Sequence, residues 1–395
     1  MKEREIRFTA GQSSIALGEN IAAEIAENKV TVKLKYDFNE RPLSVSAPCA
    51  AGDKVRLVLR PYRIDLYVND TLFDEEWPCG NEEFTVCENC PDTEVVPAPS
   101  DDTRGKPAVI RSGISLADIR KNGVNIGDCM PFSDPDNNSV YHLFFLYDRR
   151  HHGSKWSLGG HQWAHFSTTD LVSWDEHPIA VPISAPWEGS ICTGSVGKAA
   201  GRYYAWYAVR MYDRSPAKIS HSCSDDLYHF EKSGEYFILP DRYEQKTARD
   251  PKFIEYGGEY HLLITTSLLS SGNGCLAHLK SPNPDMSGFV DCGPVMEWHT
   301  PDQPECPDWF EYNGYYYLAF SIQGKMHCLP SRAPFEDFRV TESLTFPAGC
   351  VPKAAFFGSR LIFTGFTAGE GWAGSAVLSE ATQNEDGTLS YTELK

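Results

Sequence analysis

The sequence predicts an all-β protein in which a five-bladed β-propeller follows a small N-terminal β-sandwich. A turn, followed by a short run around Tyr or a β-branched or aliphatic residue, occurs five times along the chain. The centres of the runs lie at residues 141, 203, 260, 316 and 360, so they recur every 44 to 62 residues. A strand-rich repeat of this length is typical of propeller blades, each of which is one small antiparallel sheet.

A second element follows the repeat centres and supports the same architecture. A Ser/Asp turn leads into an outer strand at residues 167–174 and again at 222–230, and weaker copies open at Ser281, Ser331 and Ser379. Each unit is therefore predicted as a strand, a hairpin, a second strand, the polar turn and an outer strand. The alternative is an ordinary β-sandwich with Tyr-rich hairpins, which five copies with two matching halves disfavour.

Residues 1–90 show a different pattern, the alternation of apolar and polar residues that is typical of half-buried strands. It is clearest at residues 29–35, 55–60 and 63–68. The next segment is rich in Pro and polar residues, as linkers are. We therefore predict three parts. They are a β-sandwich at 1–90, a linker at 91–106 and the five-bladed propeller, as the catalytic domain, at 107–395.

The composition limits the partners of the chain. Its formal net charge of −18 over 395 residues argues against nucleic acid or an anionic membrane surface as a partner. No apolar run approaches the roughly 18 residues that a membrane-spanning helix needs. The first residues also lack the apolar segment of a signal peptide. We therefore expect a cytoplasmic protein, and the sequence leaves its oligomeric state open.

The twelve cysteines are scattered along the chain, and without an export signal we expect them to be reduced thiols. Cys87 and Cys90 form a single Cys-x-x-Cys pair, with Cys49 and Cys79 upstream. A structural zinc or a redox pair is one interpretation, and thiols that flank a turn are the other. No dinucleotide-binding, phosphate-loop or Ser/His/Asp pattern is present, so no cofactor is predicted.

Three isolated acids, Asp128, Asp250 and Glu305, precede repeat centres by ten to thirteen residues. This spacing places each acid on or near the innermost strand of blades one, three and four. Equivalent positions in a radial fold converge on one axis. The corresponding segments of the other two units, 192–195 and 349–351, hold no acid. An Asp before Pro is a common turn former, but three carboxylates at one mouth indicate a site for chemistry, since like charges there disfavour ionisation.

From about residue 107 to the end, the chain resembles glycoside hydrolase family 32, the family of invertases and fructanases. Arg-Asp-Pro-Lys at 249–252 and Glu-Cys-Pro-Asp at 305–308 resemble its two most specific motifs, in the same order. Trp-Ala-His at 163–165, followed by Asp-Leu-Val-Ser-Trp at 170–174, resembles its Trp-Gly-His … Asp-Leu-Val-x-Trp block. Thr-Gly-Ser at 193–195 resembles its Ser-Gly-Ser segment.

The resemblance implies a retaining β-fructofuranosidase in which Asp128 is the nucleophile, Glu305 the acid/base and Asp250 a stabiliser of the transition state. Arg249 would bind furanose hydroxyls beside Asp250. The family's nucleophile usually stands in Asn-Asp-Pro-Asn-Gly, whereas Asp128 stands in Gly-Asp-Cys-Met-Pro. Asp134, in Asp-Pro-Asp-Asn, is a rival nucleophile, but it lies only seven residues before the repeat centre and so nearer the hairpin tip.

The expected protonation states of the carboxyl groups in such a site follow from their neighbouring charges. A retaining glycosidase holds its two carboxyl groups about 5–5.5 Å apart. Groups this close do not both ionise easily, so one of them keeps its proton near neutrality. We expect Arg249 to keep Asp250 ionised, which leaves Glu305 to hold the proton that the leaving group receives. Cys306 and Pro307 offer Glu305 an apolar flank.

The long connection at residues 149–163 is aromatic and polar, and we expect it to rim the pocket. Trp156, Trp187 and Trp309 are candidates for stacking on a sugar ring, with core packing as the alternative for each. His151-His152 have no carboxylate partner at ligand spacing, so no metal is predicted there. The predicted substrate-binding residues are Arg249, Trp156, His161, Trp163, Thr193, Ser195 and Trp309.

The expected partner is a small carbohydrate, such as sucrose or a short fructo-oligosaccharide, because a cytosolic enzyme does not meet polymers. One alternative is an α-L-arabinofuranosidase or other furanosidase of the related inverting propeller family, which also uses two Asp and one Glu. A non-catalytic sugar-binding propeller is a third hypothesis, favoured if any of the three carboxylates pointed away from the channel. The family's β-sandwich normally follows the propeller, whereas here the sandwich-like part comes first. The glycone, the leaving group and the choice between hydrolysis and transfer therefore stay open.

Overall fold

The computed structural model describes residues 3–11, 14–34, 43–77, 85–101, 104–121, 124–148, 161–185, 187–211, 213–283, 285–340, 349–369 and 372–394. Within these ranges the chain forms 29 strands and one short helix, α1 (Leu116–Lys121), so the all-β prediction is confirmed. No helix in the described ranges has the length and apolar character needed to cross a membrane.

One compact unit contains the described residues from the N-terminus to 101, together with those of 183–190. Its strands are β1 (Arg4–Thr9), β2 (Ser14–Ala16), β3 (Ile21–Ala26), β4 (Lys29–Leu34), β5 (Leu43–Pro48), β6 (Lys54–Leu59), β7 (Ile64–Val68), β8 (Thr71–Glu76) and β9 (Thr93–Pro97). They form two antiparallel sheets, in the orders β8-β7-β6-β1-β9 and β2-β3-β4-β5. Buried apolar residues of both sheets, such as Leu57 and Val32, belong to one hydrophobic core.

The three strands predicted by alternation are observed as β4, β6 and β7. In β4 the pattern is the expected one, since Val30, Val32 and Leu34 are buried and the residues between them are not. The segment predicted as a linker, 91–106, contains β9, which pairs with β1 along five residues from Thr93 to Pro97. Its Pro97 closes the strand at the edge of the sheet, where a residue without an N–H is tolerated.

The second compact unit contains the remaining described residues. Its strands are β10 (Arg111–Ile114), β11 (Asn125–Asp134), β12 (Asn137–Asp148), β13 (Gln162–Thr168), β14 (Trp174–Glu176), β15 (Glu188–Ala199), β16 (Arg202–Met211), β17 (Lys218–Ser224), β18 (Glu231–Phe237), β19 (Arg249–Tyr256), β20 (Glu259–Ser267), β21 (Gly274–Ser281), β22 (Val290–Glu297), β23 (Glu305–Tyr312), β24 (Tyr315–Ile322), β25 (Lys325–Ser331), β26 (Cys350–Phe357), β27 (Arg360–Ala368), β28 (Gly374–Gln383) and β29 (Leu389–Glu393). The first residues of β15 lie in the other unit.

These strands form antiparallel sheets made of consecutive segments. Three of the sheets have the orders β15-β16-β17-β18, β19-β20-β21-β22 and β23-β24-β25. A further sheet joins the first and last segments in the order β10-β14-β13-β12-β11-β28-β27-β26, with β29 beside β28. The join is one pairing of Ile126 with Gly374. All five predicted repeat centres lie on the second strand of a hairpin, namely β12, β16, β20, β24 and β27.

The first strand of these hairpins carries a recurrent irregularity. The pairing register shifts at residues 126–129, 249–252, 305–308 and 350–353. In the bulges at 249–252, 305–308 and 350–353, the second of the four residues has a positive φ. The angle is 55° at Asp250, 51° at Cys306 and 42° at Val351. A Pro follows each of them, and a residue that cannot donate to the ladder favours such a bulge. A bulge turns side chains out of the ladder. Three of these four bulges contain the predicted acids Asp128, Asp250 and Glu305.

Candidate active site

The three predicted acids are brought together at these bulges. The Cys306 thiol lies 3.5 Å from Oδ2 of Asp128 and 3.6 Å from Oδ2 of Asp250. The two oxygens are therefore within about 7 Å of each other, a bound that covers both the retaining and the shorter inverting separations. Arg249 joins the third acid, because its Nη2 is 3.0 Å from Oε1 of Glu305 and its Nε is 3.6 Å from Oδ2 of Asp250.

The acids do not occupy one equivalent position, as the repeat alone predicted, but three adjacent ones. The last regular pairing before the bulge is made by Ile126 in β11, Arg249 in β19 and Glu305 in β23. Counted from that residue, Glu305 is the first position, Asp250 the second and Asp128 the third. The bulge therefore lets three neighbouring backbone positions supply carboxylates to one place.

Asp250 is the most constrained of the three acids. Its carboxylate is 3% exposed and accepts a hydrogen bond of 3.0 Å from the backbone N–H of Cys306. The Nε of Arg249 lies 3.6 Å from the same oxygen, Oδ2. A buried carboxyl group that contacts a cation and a backbone donor is well placed to stabilise a cationic transition state.

Asp128 is partly exposed and has no described cation within ion-pairing distance. Its Oδ2 accepts a hydrogen bond of 2.6 Å from the hydroxyl of Thr193. Burial and then the neighbouring charge of Asp250 raise the pKa of Asp128 to about 7, against the opposing effect of the Thr193 hydrogen bond. The raised pKa that we expected at Glu305 is therefore found at Asp128. Arg249 contacts Glu305 as well as Asp250, which the sequence did not indicate.

A short chain of polar contacts orients Arg249. Its Nη1 donates to the carbonyl of Thr247 at 3.0 Å and to Oε1 of Gln303. The amide of Gln303 is fixed in turn by donating to the hydroxyls of Thr247 and Ser267 at 3.0 and 2.9 Å. Sequence reasoning missed Gln303, and its place two residues before Glu305 was the one available signal.

A buried charge network lies one residue beyond the bulge prolines. Lys252 pairs with Asp308 at 2.5 Å, and Asp308 also accepts from the backbone N–H of Ala354 at 2.6 Å. Lys353 is 2% exposed and donates to the carbonyl of Gly194 at 2.7 Å, and burial lowers the pKa of its ammonium group. Lys252, Asp308 and Lys353 hold the same place in three hairpins, which the repeat could have revealed.

Two other predicted substrate-binding residues, Thr193 and His161, have different contacts. Thr193 contacts Asp128 directly, as described above. His161 is 7% exposed, and its ring centroid lies 4.7 Å from that of Trp372. Trp372 was not predicted. Trp156, His151 and His152 lie outside the described residues, and Trp187 has a 42% exposed side chain in the other compact unit.

Three further predicted substrate-binding residues have buried side chains whose polar atoms bind backbone. Ser195 links two strands, since its hydroxyl donates to Pro251 O at 3.0 Å and accepts from Phe253 N at 2.8 Å. The Trp163 indole is fully buried and donates to Cys192 O at 2.9 Å. Trp309 is 8% exposed and belongs to a buried apolar cluster. Each packs in the core of the described structure, and the sugar contact predicted for each of them stays a prediction.

The rival nucleophile Asp134 is held elsewhere. It forms an ion pair of 2.9 Å with Lys198 and accepts a hydrogen bond of 2.5 Å from the hydroxyl of Tyr203. It ends β11, six residues beyond Asp128. At roughly 3.3 Å per residue of strand, that is about 20 Å away.

The cysteines that the structure describes are all free. Among the described residues, no three His, Cys, Asp or Glu side chains are grouped as metal ligands. The thiol of Cys90 donates to the carbonyl of Ala16 at 2.8 Å, while Cys49 is buried in the core of its unit. Cys79 lies outside the described residues, so the zinc hypothesis for this group stays a prediction.

Comparison with known protein families identifies the family of this chain. The model of the glycosyl hydrolases family 32 N-terminal domain matches residues 134–338, just over half of the sequence. The chain therefore belongs to glycosyl hydrolase family 32. The match contains Asp250 and Glu305 but begins after Asp128, which stands in the segment where the sequence departs from the family's usual motif.

Individual relatives agree with this placement. Sucrose-6-phosphate hydrolase of Bacillus subtilis is 29% identical over 201 residues, which cover 47% of this chain and 39% of that protein. A β-fructofuranosidase of Bombyx mori, solved as a mutant in complex with sucrose, has a TM-score of 0.56 at 18% identity, over 71% of this chain and 68% of that one. An α-L-arabinofuranosidase of Clostridium thermocellum has a TM-score of 0.52 at 15% identity, over 67% and 94%. The match to the Bacillus protein spans about two fifths of its length, and the structural matches establish a shared fold.

Proposed function

We propose that the protein is a retaining glycoside hydrolase that acts on small β-fructofuranosides such as sucrose or short fructo-oligosaccharides. Asp128 is the nucleophile, Glu305 the acid/base and Asp250 the stabiliser of the transition state. The observation that carries the proposal is the convergence of the three carboxylates around Cys306 and Arg249. Membership of family 32 and the sucrose bound by the Bombyx mori enzyme support the class of substrate.

The hydrogen bonds at Asp128 give its two carboxylate oxygens different roles. Thr193 and Cys306 both contact Oδ2, which leaves Oδ1 as the oxygen that attacks the anomeric carbon. As that bond forms, the glycosidic bond breaks, and Glu305 gives its proton to the departing oxygen. The positive charge that develops on the sugar is stabilised by Asp250, whose own charge is fixed by Arg249 and the Cys306 N–H. Water then hydrolyses the glycosyl-enzyme, with Glu305 accepting its proton.

The accompanying architecture is a five-bladed propeller preceded by a β-sandwich. In this proposal β10 to β14 form the first blade, β15 to β18, β19 to β22 and β23 to β25 the next three, and β26 to β29 the last. Five hairpins, four of which carry equivalent bulges, and a sheet that joins the first and last segments support the count. The two N-terminal sheets around one core support the sandwich.

One observation favours a second candidate, an inverting furanosidase related to the arabinofuranosidases. A carboxyl group with a pKa near 7 is well matched to act as a general base that activates water. The structural similarity to the Clostridium thermocellum enzyme is in keeping with this alternative. In that case Asp128 takes a proton from water instead of forming a bond to the sugar.

The anomeric configuration of the first product separates the two candidates. Purified protein is screened with aryl β-fructofuranosides, short fructosides and aryl α-L-arabinofuranosides, and the product of the best substrate is followed by proton and carbon NMR within the first minutes. Retention on a fructoside supports the proposal, and inversion assigns Asp128 as a base. If no furanoside is cleaved or transferred while sugar still binds, the non-catalytic hypothesis replaces both.

Mutants of the acid/base give a second test of the same mechanism. Glu305→Gln should slow poor leaving groups most, because an activated aryloxide departs with little protonation. Azide should partly rescue Glu305→Ala on an activated substrate and give a glycosyl azide of retained configuration, since azide attacks the glycosyl-enzyme without a general base. A glycosyl azide of inverted configuration would contradict a covalent intermediate on Asp128.

A further inference from the structure

The starting point is the space around Gly127, the residue before the proposed nucleophile. A Cβ built on Gly127 would lie 2.1 Å from Cη2 of Trp372, and within 3 Å of two further atoms of the same ring. Gly127 is not among the residues with positive φ, so its backbone conformation does not require glycine. The residue is glycine because the benzene half of the Trp372 indole occupies the place of a side chain.

Trp372 is itself held from several sides. Its ring centroid lies 4.7 Å from that of His161 and 5.6 Å from that of Phe366. It stands two residues before Gly374, which pairs with Ile126 where the first and last segments meet. A Cβ on Gly374 would lie 2.1 Å from the carbonyl oxygen of Thr367, so this backbone is closely packed as well.

These contacts bear on Asp128 through the bulge. The regular pairing of β11 stops at Ile126 and resumes at Cys129, so Gly127 and Asp128 lack the ladder bonds that fix a strand. Thr193 holds the Asp128 carboxylate from one side. On the backbone side, the described contact at Gly127 is the indole of Trp372.

We propose that Trp372 is a positioning residue for Asp128, acting through its contact with Gly127. The inference rests on the proposed function, in which Asp128 attacks the sugar. The indole keeps the bulge from relaxing and so fixes the distance from the attacking oxygen to the anomeric carbon. It also excludes water from the base of the Asp128 side chain, which agrees with the burial that raises the pKa of this group.

The contact predicts an unusual pattern among three variants. Gly127→Ala should lower kcat by about 100-fold or more, because a clash that moves the nucleophile by about 1 Å has an effect of this size. Trp372→Ala should lower kcat by roughly 10-fold to 100-fold with less than about a threefold change in KM, since it loosens the nucleophile and leaves sugar contacts in place. The double variant should be at least about tenfold more active than Gly127→Ala alone, because the added methyl group now enters the space left by the indole.

Two further variants separate positioning from general stability. Trp372→Phe keeps a ring of smaller reach, and we expect its kcat between those of wild type and Trp372→Ala. Trp298→Ala removes a partly buried indole whose described ring contacts are with Phe320 and His327 and which does not contact Gly127 in the described structure. It should lower the melting temperature without changing kcat at 25 °C.

The last measurement does not depend on turnover. The difference in melting temperature between a protein with Asp128 and its Asp128→Asn counterpart is followed from pH 4 to pH 9, in the wild-type and Trp372→Ala backgrounds. If Trp372 positions Asp128, the difference in melting temperature should develop at a lower pH in the Trp372→Ala proteins than in the wild-type background. The reason is that water then reaches the carboxylate and lowers its pKa. If no protein cleaves furanosides but this shift occurs, the proposed function fails and the positioning contact stands. An unchanged kcat and unchanged pH dependence in Trp372→Ala, or a double variant no better than Gly127→Ala, would overturn the inference.

Discussion

At the scale of single residues, the site is governed by unequal access to positive charge. Arg249 lies beside Asp250 and Glu305, whereas among the described residues Asp128 accepts only from the hydroxyl of Thr193 and the thiol of Cys306. Burial raises the pKa of a carboxyl group, and a neighbouring carboxylate without a compensating cation raises the pKa further. The structure thus assigns the raised pKa to the proposed nucleophile.

The first prediction concerns Asp128→Asn, which should abolish turnover because no other described group is placed to form the covalent intermediate. The same variant should be more stable than wild type at pH 8, by an amount of the order of 2 kcal/mol. The native pKa of about 7 lies above the unfolded value of 3.8, so the native state binds the extra proton between these limits. Wild type therefore loses stability as the pH rises from about 4 to 7, and the Asn variant does not.

Urea denaturation of both proteins at pH 4, 6 and 8 measures this effect. As a control, Asp225→Asn removes a carboxylate whose side chain is 79% exposed in a surface ion pair. It should change the free energy of unfolding by no more than about 1 kcal/mol. An Asp128→Asn protein no more stable than wild type at pH 8 would show that Asp128 is not a raised-pKa group.

The second prediction concerns Thr193. If Asp128 must be ionised to attack, kcat/KM of wild type should rise with pH through about 7. Thr193→Val removes the hydrogen bond that opposes the rise in pKa, so this acid limb should move to higher pH. Thr193→Ser keeps the hydroxyl and should leave the limb in place. Initial rates with an aryl fructoside from pH 4 to 9 test this, and an identical limb in the Val and Ser variants would contradict it.

At this scale the three acids, Arg249 and Thr193 could be proposed from the sequence, because their spacing to the repeat and their motifs are local in the chain. The sequence did not indicate that Trp163, Ser195 and Trp309 are buried. Whether a Trp or Ser on an inner strand faces a cavity or a neighbouring sheet depends on packing between segments far apart in sequence. Trp372 and Gln303 were missed for the related reason that their partners are brought close only by the fold.

At the scale of secondary-structure elements, strands β12 and β13 and the residue that follows β14 hold a buried histidine cluster. His142 of β12 and His165 of β13 share a hydrogen bond of 3.0 Å, and His177 bonds to the hydroxyl of Ser167 at 2.8 Å. The His165 ring stacks on Phe144 at 4.0 Å between centroids. Burial lowers the pKa of all three imidazoles, that of His142 to about 3.

The third prediction is that this cluster destabilises the protein in mild acid. The unfolded histidines titrate near 6.5, while the native ones stay neutral below that value, so the unfolded state gains protons first as the pH falls. The contribution is absent above about pH 6.5 and grows by up to about 1.4 kcal/mol per pH unit and per histidine below it. The nearby acids Asp134, Asp175 and Glu176 oppose the effect.

His165→Phe should reduce this loss, because Phe preserves the stack on Phe144 and cannot be protonated. Guanidinium denaturation of wild type and variant at pH 7.5 and 5.0 gives the comparison. The exposed His299 serves as the control, and His299→Phe should leave the pH dependence unchanged. Equal losses of stability in wild type and His165→Phe between the two pH values would refute a role for the cluster.

The hairpins themselves were predictable, whereas the bulges on their first strands were not. A turn followed by a Tyr-centred run identifies a hairpin from residues adjacent in sequence. A register shift depends on which residue of the partner strand each position faces, and only the Pro at 251, 307 and 352 hinted at it. The offset of Asp128, Asp250 and Glu305 by one position each follows from those shifts.

At the scale of the whole molecule, the chain divides into two compact units with separate hydrophobic cores. The change of sequence pattern near residue 90 predicted two parts, while the described first unit extends to residue 101 because β9 pairs with β1. The return of residues 183–190 to that unit could not be seen in the sequence, since nothing local distinguishes them from the repeat.

The fourth prediction follows from the separate cores. Leu57→Ala removes a fully buried side chain of the first unit and should destabilise that unit by roughly 2–5 kcal/mol. Calorimetry should show one transition moved to lower temperature and a second one unchanged. Leu263→Ala, equally buried in the second unit, should move the other transition. A single transition that shifts as a whole with both variants would mean that the units unfold together.

The bulge at Val351 has a consequence for the history of the site. Its φ of 42° is strained for a β-branched residue and is more readily adopted by Asp or Asn. The Val codons GTT and GTC become Asp codons by a single base change, so from either codon one mutation places in the last hairpin the acid that its counterpart carries at Asp250. Val351→Asp should fold, with the eased backbone offsetting part of the buried charge, and should raise the pKa of Asp128 further. A copied hairpin thus keeps a backbone ready for catalysis in a segment that does not use it, and new chemistry can arise there without a new fold.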